Sequence, residues 1–264
     1  MPENTNIINK ESWDKYQDDY MKFHLMKYPD YYKFYANGGI NLDDYLIDMI
    51  GDVKGLKLLD TCCACDAAQA FSWHNSGAQV TACDITPSAV RIAKENAAKM
   101  NLAVDFIVDD MQTLTTIKDS EFDIVFATYP VWLSDINAAC LTWNRILKKG
   151  GRLLLNAEHP FACCFDIYSR EGVQPSDSQL LILKNYNKPS AEKYDSFDGT
   201  PLADRFGGWS VDLPSVENFW RVSDILNAMC NAGFTISKIH EAAYEGKESA
   251  LKNLPDYLAV LAVK

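Results

Sequence analysis

"LLDTCCACDAAQAFSW", residues 58–73, begins as a strand and runs through a turn into a helix. Leu58 and Leu59 supply the apolar run, Asp60 closes it, and the small residues that follow are those of a phosphate- or nucleotide-binding turn. Glycine usually fills such turns, because it accepts positive φ without steric cost and lets a ligand approach the backbone. This chain places cysteines and alanines where glycines are expected. The stretch predicts a ligand-binding strand end with an unusual lining.

Outward from it, short apolar runs alternate with segments of helical period, the signature of βαβ units and a parallel sheet. Residues 56–60, 78–84, 104–110, 122–128 and 151–157 read as five strands, and "FTISKIHE" (234–241) and "YLAVLAVK" (257–264) as two closing ones. Between the second and third strands Thr86 can cap a helix, with Pro87 at its first position and Val90, Ala93, Ala97 and Met100 on one face. A second helix opens at Ser134 or Asp135, carries Ile136, Cys140, Trp143 and Leu147 as its apolar stripe, and ends at Gly150-Gly151. A third follows Ser223, with Ile225, Leu226, Met229 and Cys230 leading to Gly233. The expected fold is α/β: one domain over residues 1–264, built on a doubly wound, seven-stranded, mainly parallel sheet.

Two segments fall outside the alternation. Residues 1–52 are dense in aromatics, among them Trp13, Tyr16, Tyr20, Tyr28, Tyr31, Tyr32 and Tyr35, and read as a helical N-terminal cap. After the fifth strand, residues 158–217 hold many prolines and no sustained period, too long for a passive connection. They read as a substrate-binding or lid insertion, carrying Phe161, Phe165, Tyr168, Phe206 and Trp209.

A formal charge of −11 with no Lys/Arg-rich run argues against nucleic acid as a partner. The first twenty residues lack the layout of a signal peptide, and no apolar run approaches the roughly 18 residues of a membrane span. The expectation is a cytoplasmic protein with no membrane partner. The eight cysteines sit mostly in apolar contexts, the pattern of reduced, buried thiols. Cys62 and Cys65 have the gap of a zinc pair, but no second pair with that gap and no spaced His pair follows, so no metal is expected.

In an open parallel sheet, ligands bind beyond the carboxyl ends of the strands where the strand order reverses. The residues to watch are Asp60 with its turn, Asp84, Asp109 to Met111, and Thr128 to Pro130. A carboxylate closing the second strand, about 20 residues after the first turn, suits the two hydroxyls of a ribose, and Asp84 stands there.

The order of these pieces resembles the class I, Rossmann-like S-adenosylmethionine-dependent methyltransferases. "LLDTCCACDA" is similar to their first motif, "VTACDITPSAVRIAKENA" to their second, "VDDMQTL" to their third and "FDIVFATYPVW" to their fourth; "NRILKKGGRLLL" resembles their "RVLKPGG" segment. The resemblance implies that Asp60, Thr61, Cys62 and Ala64 face the methionine part of S-adenosylmethionine. It implies ribose recognition by Asp84, adenine packing by Ile85, acceptance from the adenine amino group by Asp110, donation to the ring by the Met111 backbone, and proximity of Thr128 to the sulfonium carbon. In many such proteins an N-terminal aromatic also touches the cofactor, and "ESWDKYQDDY" resembles that region, which implies the same contact for Tyr16 or Tyr20.

The function expected is methyl transfer to O, N or S of a small molecule, with S-adenosylhomocysteine as product. The alternative is an adenosyl-nucleoside-binding protein of the same fold with lost or altered transfer chemistry, since the glycine-poor turn departs from the family pattern. In-line displacement at a sulfonium methyl needs alignment and at most one base. His159 in "NAEHPF" is the candidate base, Glu158 lies beside it, and Tyr129 is the candidate for substrate contact.

Overall fold

Along each central strand, successive side chains enter two different cores, and this alternation builds the molecule around its sheet. The computed structural model describes residues 5–164, 182, 184–188, 190–194, 214–243 and 254–264. Leu58, Ile124, Phe126 and Leu154 pack on one face; Leu59, Val125, Leu153 and Leu155 pack on the other. Both faces are therefore covered, as a parallel sheet requires.

The sheet strands are β1 (Lys57–Asp60), β2 (Gln79–Asp84), β3 (Asp105–Val108), β4 (Phe122–Thr128), β5 (Leu147–Glu158), β8 (Thr235–Ala243) and β9 (Pro255–Val263). They lie in the order β3-β2-β1-β4-β5-β9-β8, with β9 antiparallel to both neighbours and the other pairings parallel. The order reverses between β1 and β4, which puts the ligand crevice at Asp60 and Thr128. A separate ribbon pairs β6 (Ala191–Tyr194) with β7 (Ser215–Asn218). The remainder of the expected 158–217 insertion, including Phe165, Tyr168, Phe206 and Trp209, lies outside the described residues.

Helices α4 (Ala68–Asn75) and α5 (Pro87–Met100) cover one face, α6 (Ile136–Ile146) and α7 (Val222–Asn231) the other. Val90, Ala93, Ala97 and Met100 are all buried, as their spacing predicts. Trp73 and Trp143, one on each face, are almost wholly enclosed, each worth about 3 kcal/mol or more against truncation.

Two local expectations are corrected. Thr86 takes the N-cap position of α5 with Pro87 after it, but its side chain makes no capping bond: its hydroxyl donates to Asp84, and the first-turn N–H of Ser88 is instead accepted at 2.9 Å by Asp14 from the cap. Gly150-Gly151 does not end α6, which stops at Ile146; the pair lies within β5, where register with β4 shifts and Gly150 takes φ +76°. A Cβ on Gly151 would sit 2.8 Å from the Lys148 carbonyl oxygen, so tight backbone packing selects that glycine.

The cap consists of α1 (Thr5–Lys27), α2 (Tyr31–Ala36) and α3 (Asp44–Ile50). Trp13, Tyr16, Tyr20 and His24, spaced three and four apart, form one ring ladder with centroid separations of 5.5, 5.9 and 5.9 Å. Arg91 pairs bidentately with Asp18, and Ser88 donates to the Asp14 carbonyl, so α1 lies along α5. Among the described residues no helix is long and apolar enough to cross a membrane.

Candidate active site

Strand β1 ends at Asp60, which is fully buried. One carboxylate oxygen accepts from the Cys62 N–H at 3.3 Å; the other has no partner among the described residues. Burial pushes this carboxyl up to about 7, against the Cys62 hydrogen bond, with help from the nearby Asp84 and Asp66 charges. Next to it the Thr61 hydroxyl is buried and has no partner among the described residues, and the same holds for that of Thr128 at the end of the neighbouring β4. A buried polar group left unpaired costs about 1–3 kcal/mol, so three together mark a place shaped for hydrogen-bonding matter from outside the chain.

The turn keeps a glycine-like course without glycine. Ala64 takes φ +53° and Ala67, before α4, φ +44°. Left-handed backbone costs an L-residue about 1–2 kcal/mol, and alanine carries it with only a methyl group added. Ala64 is held there because its N–H donates to Asp84 Oδ2 at 3.0 Å, while Cys63 N–H donates to the Cys83 carbonyl. Cys62 packs its side chain against the cluster containing Leu59, Cys83 and Met111.

Asp66 turns toward the cap. Its Oδ2 accepts from Tyr20 Oη at 3.4 Å and lies 3.5 Å from His24 Nδ1, and its carbonyl accepts from Tyr31 Oη. Burial pushes its carboxyl up, opposed by His24 and the Tyr20 hydrogen bond. Burial lowers His24 in turn.

Asp84, closing β2, accepts from Thr86 N–H (2.9 Å) and Oγ1 (2.7 Å) on one oxygen and from Ala64 on the other. Ile85 is half-buried beside it. After β3, Asp109 binds inward: burial raises its carboxyl, but bonds from Thr116 and the Asp110 and Thr115 backbone win and hold it below the usual range. Asp110 Oδ1 accepts from Gln112 N–H at 2.8 Å and Oδ2 from Asn6 Nδ2 of α1 at 2.7 Å. Met111 is buried, and its carbonyl accepts from Trp143 Nε1.

Tyr129 follows Thr128 with φ +53° and is 42% exposed, the one large ring standing open directly past β4. A non-glycine residue in this region at a crevice is the strain expected of a functional loop. Behind it Trp132 meets Trp13 edge-on at 5.6 Å, and Trp220 Nε1 donates to the Pro130 carbonyl. The α1 ladder therefore runs from the β4 loop to the turn after β1.

His159 is buried past the end of β5, with both ring nitrogens engaged. Nδ1 accepts from Phe161 N–H at 3.2 Å, which places the proton on Nε2, 3.0 Å from Glu241 Oε1 of β8. Asn6, His24, Trp132 and Glu241 were not singled out from sequence. The three- and four-residue spacing of Trp13, Tyr16, Tyr20 and His24 carried the readable signal for His24. Among the described residues no group of three or more His, Cys, Asp or Glu could hold a metal ion. Burial raises the thiols of Cys62, Cys63, Cys65 and Cys83 and so disfavours their thiolate forms.

A seven-stranded sheet of this order, with acidic residues closing its first two strands, is the class I, Rossmann-like methyltransferase fold. Residues 59–155 match the family model described as "Methyltransferase domain". The chain is 30% identical over 106 residues to a ubiquinone biosynthesis O-methyltransferase of Xanthomonas oryzae pv. oryzae, covering 40% of this chain and 44% of that protein. It is 27% identical over 109 residues to a malonyl-(acyl-carrier protein) O-methyltransferase of Pseudescherichia vulneris, covering 41% of each. It thus spans less than half the length of these curated relatives. A solved S-adenosylmethionine dependent methyltransferase from Mesorhizobium loti shares the fold with a TM-score of 0.62 at 20% identity, over 83% of this chain and 96% of that one.

Proposed function

We propose that this protein transfers the methyl group of S-adenosylmethionine to an oxygen, nitrogen or sulfur atom of a small molecule and releases S-adenosylhomocysteine. The observation that carries the reading is the trio of buried, unpartnered polar atoms, Asp60 Oδ2, Thr61 Oγ1 and Thr128 Oγ1, at the point where the strand order reverses. The matched methyltransferase domain and the named relatives support it.

When bound, the cofactor supplies an electrophilic methyl on a sulfonium. The chain's own residues do the rest. Asp60 and Thr61 would take the methionine ammonium, for which an acidic acceptor and a hydroxyl are suitable chemistry. Asp84 would accept from the ribose hydroxyls, Ile85 would pack on adenine, Asp110 would accept its amino group and Met111 N–H would donate to the ring. Ala64 admits the ligand past a methyl rather than a larger side chain. Cys62 stands with the turn, its side chain directed to the core, and Tyr20 closes over it from the cap.

Acceptor chemistry falls to the β4 loop and the cap. Tyr129, Trp132 and Trp13 enclose a small, partly apolar acceptor and exclude water, which suits an in-line displacement governed by alignment. Tyr129 Oη would contact the acceptor heteroatom. His159, having spent both nitrogens on Phe161 and Glu241, serves as a strut that sets the exit of β5 rather than as a base.

Isothermal titration with S-adenosylhomocysteine tests the reading: one equivalent bound is expected. Failure to bind either S-adenosylhomocysteine or S-adenosylmethionine overturns it. Binding without methyl transfer across a panel of phenols, amines and thiols would favour an adenosyl-binding protein of altered chemistry.

A further inference from the structure

We propose that Tyr45 is a positioning residue that keeps the Thr128 hydroxyl open for ligand, by holding the amide of Asn156 away from it. The inference rests on the cofactor reading above. Strands β4 and β5 run parallel, and Thr128 stands directly beside Asn156 in register. Side chains two apart on a strand share a face, so Thr128 follows Phe126, and Asn156 follows Leu154, onto the face where Tyr45 of α3 packs. Both residues are buried. Neighbouring strands lie about 4.8 Å apart, so an asparagine amide beside a threonine can reach its hydroxyl without backbone movement. That bond is nonetheless not made. Thr128 Oγ1 has no partner among the described residues, while Asn156 Oδ1 accepts from Tyr45 Oη at 3.1 Å. Buried polar groups pair wherever they can, so something must hold these two apart.

Tyr45 is itself fixed from two further sides. Its ring stacks on His240 of β8, with centroids 4.7 Å apart and planes 22° from parallel. Asp43, at the N-cap of α3, is a second side-chain partner of its hydroxyl. The register leaves room for the ring. His240 and Asn156 both stand opposite Ala259 of β9, and only its methyl group lies between them. The row His240, Ala259, Asn156, Thr128 thus crosses four strands, and the phenol bridges the gap above alanine to reach the amide. An amide drawn to that side turns away from β4. A phenylalanine ring would fill the same space and offer no oxygen, which releases the amide to its other neighbour, the Thr128 hydroxyl.

A double-mutant cycle read by isothermal titration with S-adenosylhomocysteine tests this. Tyr45→Phe should weaken binding by about threefold to tenfold, because the freed amide takes the Thr128 hydroxyl and the ligand must displace it. The same substitution should change affinity by less than about twofold when made in Asn156→Ala, which has no amide to release, or in Thr128→Val, which has no hydroxyl to lose. Thermal melts check that each variant is folded, and the Thr128→Val background decides alone should Asn156→Ala unfold. A loss of the same size in every background overturns the proposal, because Tyr45 would then act on the fold or the ligand without Asn156 and Thr128. Undiminished affinity in Tyr45→Phe overturns it too. If wild type binds no S-adenosylhomocysteine, the cofactor reading itself has failed and the positioning role falls with it; wild-type binding with an additive cycle removes the positioning role alone.

Discussion

Tyr20 Oη reaches Asp66 Oδ2 across 3.4 Å, so the carboxylate at the exit of the β1 turn is spent on the cap and not on the crevice. His24 Nδ1 lies 3.5 Å from the same oxygen. An acidic residue at the exit of such a turn could repel a ligand carboxylate by about 1 kcal/mol or more. Here it ties α1 to the loop that begins the site. The cap and the turn are thus one structural unit, joined through Asp66.

Asp66→Gly separates docking from ligand repulsion. We expect S-adenosylhomocysteine affinity to change by less than about tenfold, or 1.4 kcal/mol, because the carboxylate faces the cap. The cap should loosen, with faster hydrogen exchange in the middle of α1 around Tyr20 and His24. A gain in affinity of about a hundredfold or more would show that Asp66 opposes the ordinary cofactor.

Thr128→Val and Thr61→Val trade binding for stability. Each hydroxyl is buried without a partner among the described residues, and an isosteric methyl removes that penalty. The unliganded protein should gain about 1 kcal/mol, a rise in Tm of roughly 2–4 °C for a chain of this size. Affinity for S-adenosylhomocysteine should fall several-fold in the same variants. Calorimetric scans and titrations together check this; a loss of stability would mean that the hydroxyls already have partners.

Asp84→Asn tests ribose recognition with the turn preserved. Alanine would strand the buried N–H groups of Ala64 and Thr86, whereas asparagine keeps one acceptor oxygen in place. Losing the charge should weaken cofactor binding by about 1.5–3 kcal/mol. Unchanged affinity in a folded variant would remove Asp84 from the site.

The sheet was legible in the sequence because burial on both faces writes itself as uninterrupted apolar runs such as Leu58-Leu59 and Ile124 to Ala127, and because β-strands alternate with a helical period. Two features misled at the level of single residues. Thr86 has the chemistry of a cap but is drawn away by Asp84, and Gly150-Gly151 has that of a helix stop but serves tight packing inside β5. The strand-end acids, Asp60, Asp84 and Asp110, stand where spacing puts them. Asn6 and Glu241 do not announce themselves, since their partners lie 104 and 82 residues away and no local period encodes such a contact; His24 shares the three- and four-residue spacing of the α1 rings, but its partner Asp66 lies 42 residues away. The substrate side is least legible of all, because an irregular segment from 158 to 217 carries no period from which to place its aromatics.

Asp60 gives the protein a pH dependence whose sign differs for folding and for binding. Burial holds its carboxyl at about 7 in the folded, unliganded state, whereas in an unfolded chain it is an ordinary aspartate near about 3.9. Folding therefore favours the protonated form. The stability this group contributes is complete below about pH 4, falls through the interval, and is gone above about pH 7, a change on the order of 4 kcal/mol. Asp60→Asn keeps a neutral side chain at all pH values, so it should match wild type in urea melts below about pH 4 and exceed it at pH 8. Binding runs the other way. An ammonium group beside Asp60 favours the ionised carboxylate, so wild-type affinity for S-adenosylhomocysteine should rise between pH 6 and about pH 8. Asp60→Asn should bind more weakly and show little of that rise. A wild-type affinity flat across the interval, with the variant equally tight, would mean that Asp60 does not face the amino group of the cofactor.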